Sequence, residues 1–234
     1  MTRREELATN LAAVEERVAA ACAAAGRARS DVTLIAVTKT CPHTDVALLS
    51  ELGVTDVGEN RHPEAGDKAA AVDAPLRWHF LGGVQTNKAG AVARYADVVH
   101  SVDRPKLVAS LGRGAVAAGR DLEVLLQVDL GPTFDRPSDG RSGAAPDELA
   151  ALADAVASTS RLRLGGLMNV APLGVDPARV FERLRTESER LRADHPEALT
   201  ISAGMSDDLE QAVAAGATHL RVGRAILGER PPLR

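Results

Sequence analysis

One lysine stands at the end of a short apolar run that is rich in β-branched residues. Residues 32–38 read Val-Thr-Leu-Ile-Ala-Val-Thr and are followed by Lys39. Such a run is typical of a strand buried on both faces. An amine held at the end of such a strand and partly desolvated has a lowered pKa and can attack a carbonyl carbon. A solvated lysine is the simpler interpretation, so Lys39 needs support from other parts of the sequence.

Two glycine-containing turns near the end of the sequence supply that support. Ser202-Ala-Gly-Met-Ser206 leads into a helix that we expect to begin near Asp207, and Arg221-Val-Gly223-Arg-Ala-Ile-Leu-Gly228 opens a short helix. Helix N-termini offer backbone N–H groups and a favourable dipole to a phosphate. Each turn alone could be an ordinary helix cap. Together with Lys39 they predict a pocket for a phosphorylated carbonyl compound.

Two ligands fit this description, a sugar phosphate of the kind used by lysine aldolases and pyridoxal phosphate. Arg221 favours the second, because a guanidinium at the end of the last strand could donate to a pyridine nitrogen. Arginine stays protonated, so it would leave the ring nitrogen unprotonated and weaken the electron sink.

The elements that must position these residues alternate between strands and helices. The strand-like runs cover residues 32–38, 54–57, 77–81, 97–101, 122–129, 162–168, 199–202 and 219–222, and the helix-like segments between them cover residues 45–52, 63–71, 87–95, 105–118, 147–158, 177–193 and 207–215. Eight such units predict an α/β fold, a single (β/α)8 TIM barrel with its active site at the carboxyl ends of the strands. An open doubly wound sheet is the alternative, but no Gly-x-Gly-x-x-Gly follows the first strand.

An extra helix precedes the barrel. Leu7, Leu11, Val14, Val18 and Cys22 recur at intervals of three and four, which predicts an amphipathic helix, and Gly26 is placed to end it. We expect one domain over residues 1–234, with residues 1–26 packed on it as the N-terminal helix.

The composition argues against several classes of function. The 234 residues carry 28 Lys plus Arg against 32 Asp plus Glu, a net charge of −4, and aromatic residues make up 2%. We therefore expect neither nucleic acid nor membrane partners. No signal peptide or apolar stretch long enough for a span is visible, which favours the cytoplasm. The six histidines and two cysteines show no metal-ligand spacing, and no Gly-x-Ser-x-Gly elbow points to a serine hydrolase.

Seven segments, in order along nearly the whole chain, resemble the pyridoxal-phosphate homeostasis protein family, whose barrel is similar to the N-terminal domain of alanine racemase. They are Leu34-Ile-Ala-Val-Thr-Lys39, Gly58-Glu-Asn60, Trp78-His-Phe-Leu-Gly82, Gln85-Thr-Asn-Lys88, Gly166-Leu-Met168, Ser202-Ala-Gly-Met-Ser206 and Arg221-Val-Gly223 with Ile226-Leu-Gly228.

The resemblance implies a role for each of eight residues. Lys39 would form the internal aldimine with pyridoxal phosphate, and Arg221 would face the pyridine nitrogen. Ser206 and the backbone around Gly223 and Arg224 would bind the phosphate, and Asn60, His79 and Met168 would line the ring pocket. The resemblance also implies a monomer that binds the cofactor without established turnover and serves vitamin B6 homeostasis, with pyridoxal-phosphate-dependent apoenzymes as candidate recipients.

The sequence departs from the family pattern in two places. The long segment 130–146 follows the fifth strand, where the family carries Lys-x-Gly; the matching residues here are Arg141-Ser-Gly143. The familiar Ser-Met-Gly-Met-Ser has alanine at position 203, which leaves Gly204 in place. The first departure puts partner contacts of this loop in doubt, and neither affects Lys39.

We expect a non-catalytic protein. A racemase needs two acid–base groups, one on each face of the substrate carbon, and related racemases take a tyrosine from a second domain. Arg234 follows the last predicted strand closely, so we expect no such domain here, and the one tyrosine, Tyr95, falls in a helix-like segment before the fourth strand. A weakly active amino-acid racemase or lyase, a lysine aldolase and an interaction scaffold remain alternatives.

Overall fold

Eight parallel strands close into a barrel in chain order, as predicted. The computed structural model describes residues 1–135 and 143–228. The strands are β1 Thr33–Val37, β2 Asp56–Glu59, β3 Arg77–Phe80, β4 Val98–Val102, β5 Leu122–Gln127, β6 Leu162–Met168, β7 Thr200–Ser202 and β8 His219–Val222. β1 pairs with β8 through four residue pairs that begin at Thr33 and His219, which closes the barrel.

Helices surround the barrel and follow its strands. They are α1 Arg3–Ala24, α2 His43–Glu51, α3 Glu64–Ala71, α4 Ala89–Val92, α5 Pro105–Ala118, α6 Leu149–Ala157, α7 Pro177–Asp194, α8 Leu209–Ala214 and α9 Arg224–Leu227. Short 3₁₀ turns precede β1, α4 and α6, and another follows β5. The apolar faces of the helices pack on the outward-facing strand residues to form one large core.

The extra helix α1 lies against the last two helices of the barrel. Its N-terminus is closed by a capping box between Thr2 and Glu5, and Gly26 beyond its end has a φ of 65°. Four of the five residues in the predicted stripe are buried, and Leu11 is partly buried. Asn10 Nδ2 donates to the carbonyl of Ile226 at 3.0 Å, so α1 contacts α9, the short helix after β8, directly.

The second strand begins two residues later in the structure than the sequence pattern predicts. Val54 was expected to begin the strand, but its backbone N–H donates to Leu49 O at 3.0 Å and so completes the end of α2. Gly53 turns the chain there with a φ of 91°. The strand itself runs over Asp56–Glu59, so it begins two residues later and ends two residues later than predicted.

Two predicted helices are shorter than expected. The segment expected at 87–95 is a 3₁₀ turn at Thr86–Lys88 followed by only Ala89–Val92 in α-helix. The helix expected from Asp207 begins at Leu209, because the carboxylate of Asp208 accepts a hydrogen bond from Met205 N at 2.6 Å and holds residues 205–208 in a turn.

Side chains inside the barrel lie in layers, because alternate residues of each strand point inward. The residues that line the carboxyl-end cavity include Leu81, Arg221 and Gly223. Two positions before Leu81 is His79 of β3, which is 1% exposed and lies deeper in the barrel. On β3 the lining position is therefore Leu81 and not His79, whereas on β1 and β8 two inward positions each, Val37 with Lys39 and Arg221 with Gly223, reach the cavity.

Candidate functional site

A cavity of about 620 Å³ opens at the carboxyl ends of the strands. This volume is typical of a small-molecule site. It is lined by Val37, Lys39, Asn60, Leu81, Gly82, Met168, Val170, Met205, Ser206, Asp207, Arg221, Gly223 and Arg224. The cavity brings together seven of the eight residues singled out from the sequence.

Lys39 is positioned by contacts on the outer side of its own strand. The neighbouring Thr38 is fully buried; its hydroxyl donates to Glu59 Oε1 at 2.7 Å, and its carbonyl accepts from Lys68 Nζ at 2.8 Å. Lys68 also pairs with Glu59 at 2.7 Å and with Glu64 at 2.8 Å. Thr38 therefore points away from the barrel axis, and the alternation of the strand turns Lys39 toward the cavity.

The carboxylates around Lys68 differ in their environment. Burial raises the pKa of Glu59, and its hydrogen bonds from Lys68 and Thr38 only partly offset this. Burial also acts to raise the pKa of Glu64, but hydrogen bonds from Lys68 and the backbone N–H of Thr40 outweigh it and lower that pKa. This cluster anchors the end of β1 to α3.

The walls of the cavity are apolar and depend on one close backbone approach. Val37, Leu81, Met168 and Val170 supply the apolar surface. A Cβ at Gly82 would lie 2.2 Å from the carbonyl oxygen of Asn60, so only glycine lets the turns after β2 and β3 meet there. This contact places the Asn60 side chain at the cavity.

The turns after β7 and β8 lie side by side at the mouth, because the two strands are neighbours in the barrel. Arg224 Nη2 lies 2.7 Å from Asp207 Oδ2, and both side chains are mostly exposed. Ser206 is half-buried, and its carbonyl accepts from Arg17 of α1 at 3.1 Å. The helices α8 and α9 span six and four residues. An anion at this place would therefore be held by the hydroxyl, the guanidinium and the turn backbone more than by helix dipoles.

Arg221 is buried at the floor of the cavity. Its Nη1 donates to Ser202 Oγ at 2.7 Å and its Nη2 to the carbonyl of Asn169 at 2.8 Å. Burial lowers the pKa of its guanidinium to about 10, while the charge of Asp208 acts in the opposite direction. Arg221 is still a cation at neutral pH.

His79 does not line the cavity, in contrast to the role that the resemblance implies for it. Its Nδ1 lies 2.8 Å from His100 Nε2, and its Nε2 lies 2.8 Å from Asp56 Oδ1. Leu81, two residues further along, occupies the lining position on this side of the cavity. Strand alternation, applied from Lys39, would have identified Val37 as a lining residue.

Part of the fifth rim loop falls outside the described residues. Arg141 and Ser142, where the sequence departs from the Lys-x-Gly pattern, belong to that part. Gly143 is described, and a Cβ on it would lie 2.7 Å from Asp129 N.

Within residues 1–135 and 143–228, no cluster of three or more His, Cys, Asp or Glu side chains could hold a metal ion. In the same ranges, no helix has the length and apolarity needed to cross a bilayer.

Comparison with known proteins first defines a class. Residues 9–231 match the family described as alanine racemase, N-terminal domain. The structure of alanine racemase from Corynebacterium glutamicum superposes with a TM-score of 0.70 at 16% identity, covering 98% of this chain and 63% of that chain, which shows a shared fold.

Closer relatives then define the family. The pyridoxal phosphate homeostasis protein of Mycobacterium tuberculosis is 42% identical over 97% of this chain and 94% of its own length. The structure of PipY from Synechococcus elongatus with PLP bound has a TM-score of 0.81 at 32% identity, covering 95% of this chain and 100% of that chain. The chain therefore belongs to the pyridoxal phosphate homeostasis protein family.

Proposed function

We propose that this protein binds pyridoxal phosphate in the cavity and serves vitamin B6 homeostasis without catalytic turnover. One observation carries the proposal: an amine, a buried guanidinium and two phosphate-compatible turns line a single cavity of about 620 Å³. The PipY structure, whose PLP is bound on a barrel similar to this one, supports it. We extend the proposal to one domain over residues 1–234 that acts as a monomer in the cytoplasm.

The residues present fit the chemistry of pyridoxal phosphate. Asn60 Oδ1 is buried and has no hydrogen-bond partner among the described residues, and it belongs to a residue that lines the cavity. At Gly223 a Cβ would lie 3.1 Å from Val37 O, so the absence of a side chain keeps this wall open beside Lys39. A flat ring with one aldehyde and one phosphate matches an apolar cavity with an amine and cationic donors at its edges.

Each residue then has a defined task. When bound, pyridoxal phosphate would supply an aldehyde that reacts reversibly with a primary amine. Lys39 provides that amine, and Arg221 donates toward the ring nitrogen. Asn60 and Met168 position the ring. Ser206, Gly223 and Arg224 hold the phosphate.

The position of Tyr95 supports a non-catalytic role. It lies beyond α4 and is not among the residues that line the cavity. Burial raises the pKa of its hydroxyl far above neutrality, and the charge of Glu59 adds to this. A racemase needs a second base opposite Lys39. Asp207, the one carboxylate that the described residues contribute to the cavity lining, is paired with Arg224 at the rim.

Covalent trapping tests the proposal. Addition of pyridoxal phosphate should produce a visible absorbance band, and reduction with borohydride should leave the cofactor mass on the peptide that contains Lys39. Lys39→Ala should lose this covalent label but keep weaker binding, because Ser206 and Arg224 follow other strands. Lys106→Ala, at an exposed lysine on α5, is the matched control and should label as the wild type does.

Two results would contradict the proposal. A protein that shows no spectral change with pyridoxal phosphate, or labels on another lysine, would rule out the assigned site. Sustained multiple turnovers in chiral chromatography after incubation with single amino acids would overturn the non-catalytic role and favour a racemase or lyase.

A further inference from the structure

A series of hydrogen-bonded side chains runs through the barrel below the cavity. Arg221 Nη1 donates to Ser202 Oγ at 2.7 Å, and Ser202 Oγ lies 3.0 Å from His100 Nδ1. His100 Nε2 lies 2.8 Å from His79 Nδ1, and His79 Nε2 lies 2.8 Å from Asp56 Oδ1. None of these five residues is more than 8% exposed. We call them the interior chain.

One arrangement of protons along the interior chain satisfies both of its ends. A guanidinium only donates hydrogen bonds, so Ser202 Oγ accepts from Arg221 and directs its own proton to His100 Nδ1. His100 then carries its ring proton on Nε2 and donates it to His79 Nδ1. His79 in turn donates from Nε2 to the carboxylate of Asp56. In this arrangement both rings share one tautomer, and every bond points the same way.

The carboxylate end of the interior chain is ionised. Burial acts to raise the pKa of Asp56, but hydrogen bonds from His79 and from Thr55 outweigh it, and the pKa lies below its usual value. The hydroxyl of Thr55 contacts Asp56 Oδ2 at 2.6 Å. Burial also holds the pKa of His100 well below its usual value, which keeps this ring neutral.

The guanidinium end of the interior chain is a buried cation whose hydrogen bonds go to neutral groups, Ser202 Oγ and the carbonyl of Asn169. A buried charge without a compensating partner is costly. Hydrogen bonds in series polarise one another in a low-dielectric interior. The carboxylate of Asp208 is a nearby counter-charge for Arg221. The aligned dipoles of Ser202, His100 and His79 would add the influence of the Asp56 charge to it.

We propose that Asp56, His79, His100 and Ser202 are positioning residues that hold the guanidinium of Arg221 charged and in one orientation at the cavity floor. This inference rests on the proposed function, since the fixed guanidinium would set the hydrogen bond that a ring nitrogen accepts. It also assigns a task to His79, which acts on the cavity through Arg221 from one layer below.

Two substitutions separate this role from simple core packing. In Asp56→Asn the amide oxygen can still accept from His79, so the series keeps its geometry but loses the charge at its end. We expect pyridoxal phosphate to bind three- to tenfold more weakly and its absorbance band to shift. Ser202→Ala removes the acceptor of Arg221 Nη1 and should weaken binding at least tenfold. Asp97→Asn is the control, because Asp97 accepts from Trp78 N at 2.8 Å near the same end of the barrel but lies outside the interior chain.

A second measurement needs no cofactor. Nitrogen-15 NMR of the histidine rings in the cofactor-free protein should show His79 and His100 neutral with the proton on Nε2. A charged ring, or a proton on Nδ1, would overturn the proposal. So would wild-type affinity and spectrum in both Asp56→Asn and Ser202→Ala. Failure of the wild-type protein itself to bind pyridoxal phosphate would instead refute the proposed function, and the ring NMR would still decide the tautomers.

Discussion

At the scale of single residues, the mouth of the cavity holds an anionic group beside the proposed phosphate site. Asp207 pairs with Arg224 at 2.7 Å, with side chains 82% and 61% exposed. An exposed pair of this kind is weak, about 0–1 kcal/mol. A phosphate must nonetheless compete with the Asp207 carboxylate for Arg224. This competition would weaken the hold of Arg224 on a bound phosphate.

Substitution Asp207→Asn should therefore tighten binding of pyridoxal phosphate. The exposed pair between Asp207 and Arg224 contributes about 0–1 kcal/mol, so its loss should raise the affinity for pyridoxal phosphate by up to about fivefold. Titration followed by absorbance measures it. Asp121→Asn, which breaks the exposed pair with Arg161 at 3.0 Å elsewhere on the surface, should leave affinity unchanged. Equal or weaker binding in Asp207→Asn would show that this carboxylate does not oppose the ligand.

At the scale of elements, the turns after β2 and β3 must meet for the cavity to form. Gly82→Ala would place a Cβ 2.2 Å from Asn60 O. Because a backbone atom cannot rotate aside, we expect a loss of about 1–3 kcal/mol in the free energy of unfolding, measured by urea denaturation, together with weaker ligand binding. Gly90→Ala in α4 is the matched control, since nothing lies within 4 Å of the position that its Cβ would take. Equal stability of the two variants would contradict the close approach.

At the scale of the whole molecule, the histidines inside the barrel make its stability depend on pH. Burial lowers the pKa of His100 well below its usual value and that of His219 to about 4. In the unfolded chain both titrate near 6.5. Between about pH 6.5 and 4 the unfolded state therefore binds more protons than the folded state. As the pH is lowered through this range, the free energy of unfolding should decrease by up to about 1.4 kcal/mol per pH unit for each histidine.

Urea denaturation at pH 7.5 and 5.5 measures this dependence. The wild type should be clearly less stable at pH 5.5, and His219→Gln should reduce the difference by removing one of the two groups. A wild-type stability that is equal at the two pH values would show that these rings are not held neutral in the folded state.

Local patterns in the amino-acid sequence determined much of the architecture. The alternation of apolar runs with amphipathic segments predicted eight strands and a closed barrel, and the bounds of β6 Leu162–Met168 and β8 His219–Val222 agree with it. Lys39, Arg221 and the two turns were also recognisable, because residues at strand ends meet at one edge of a parallel barrel.

Only the tertiary structure decided which layer of the barrel each polar side chain occupies. His79 was expected beside the ring pocket, yet its hydrogen bonds lie one layer deeper, with His100 and Asp56. Asp56 fell within the predicted second strand, but nothing in the local pattern marked it as a partner of His79. The physical reason is that a local pattern indicates only whether a side chain points into the barrel. The depth of that side chain inside the barrel depends on the stagger of the strands and on partners distant in sequence. The series from Asp56 to Arg221 joins side chains from five different strands, so no single segment could reveal it.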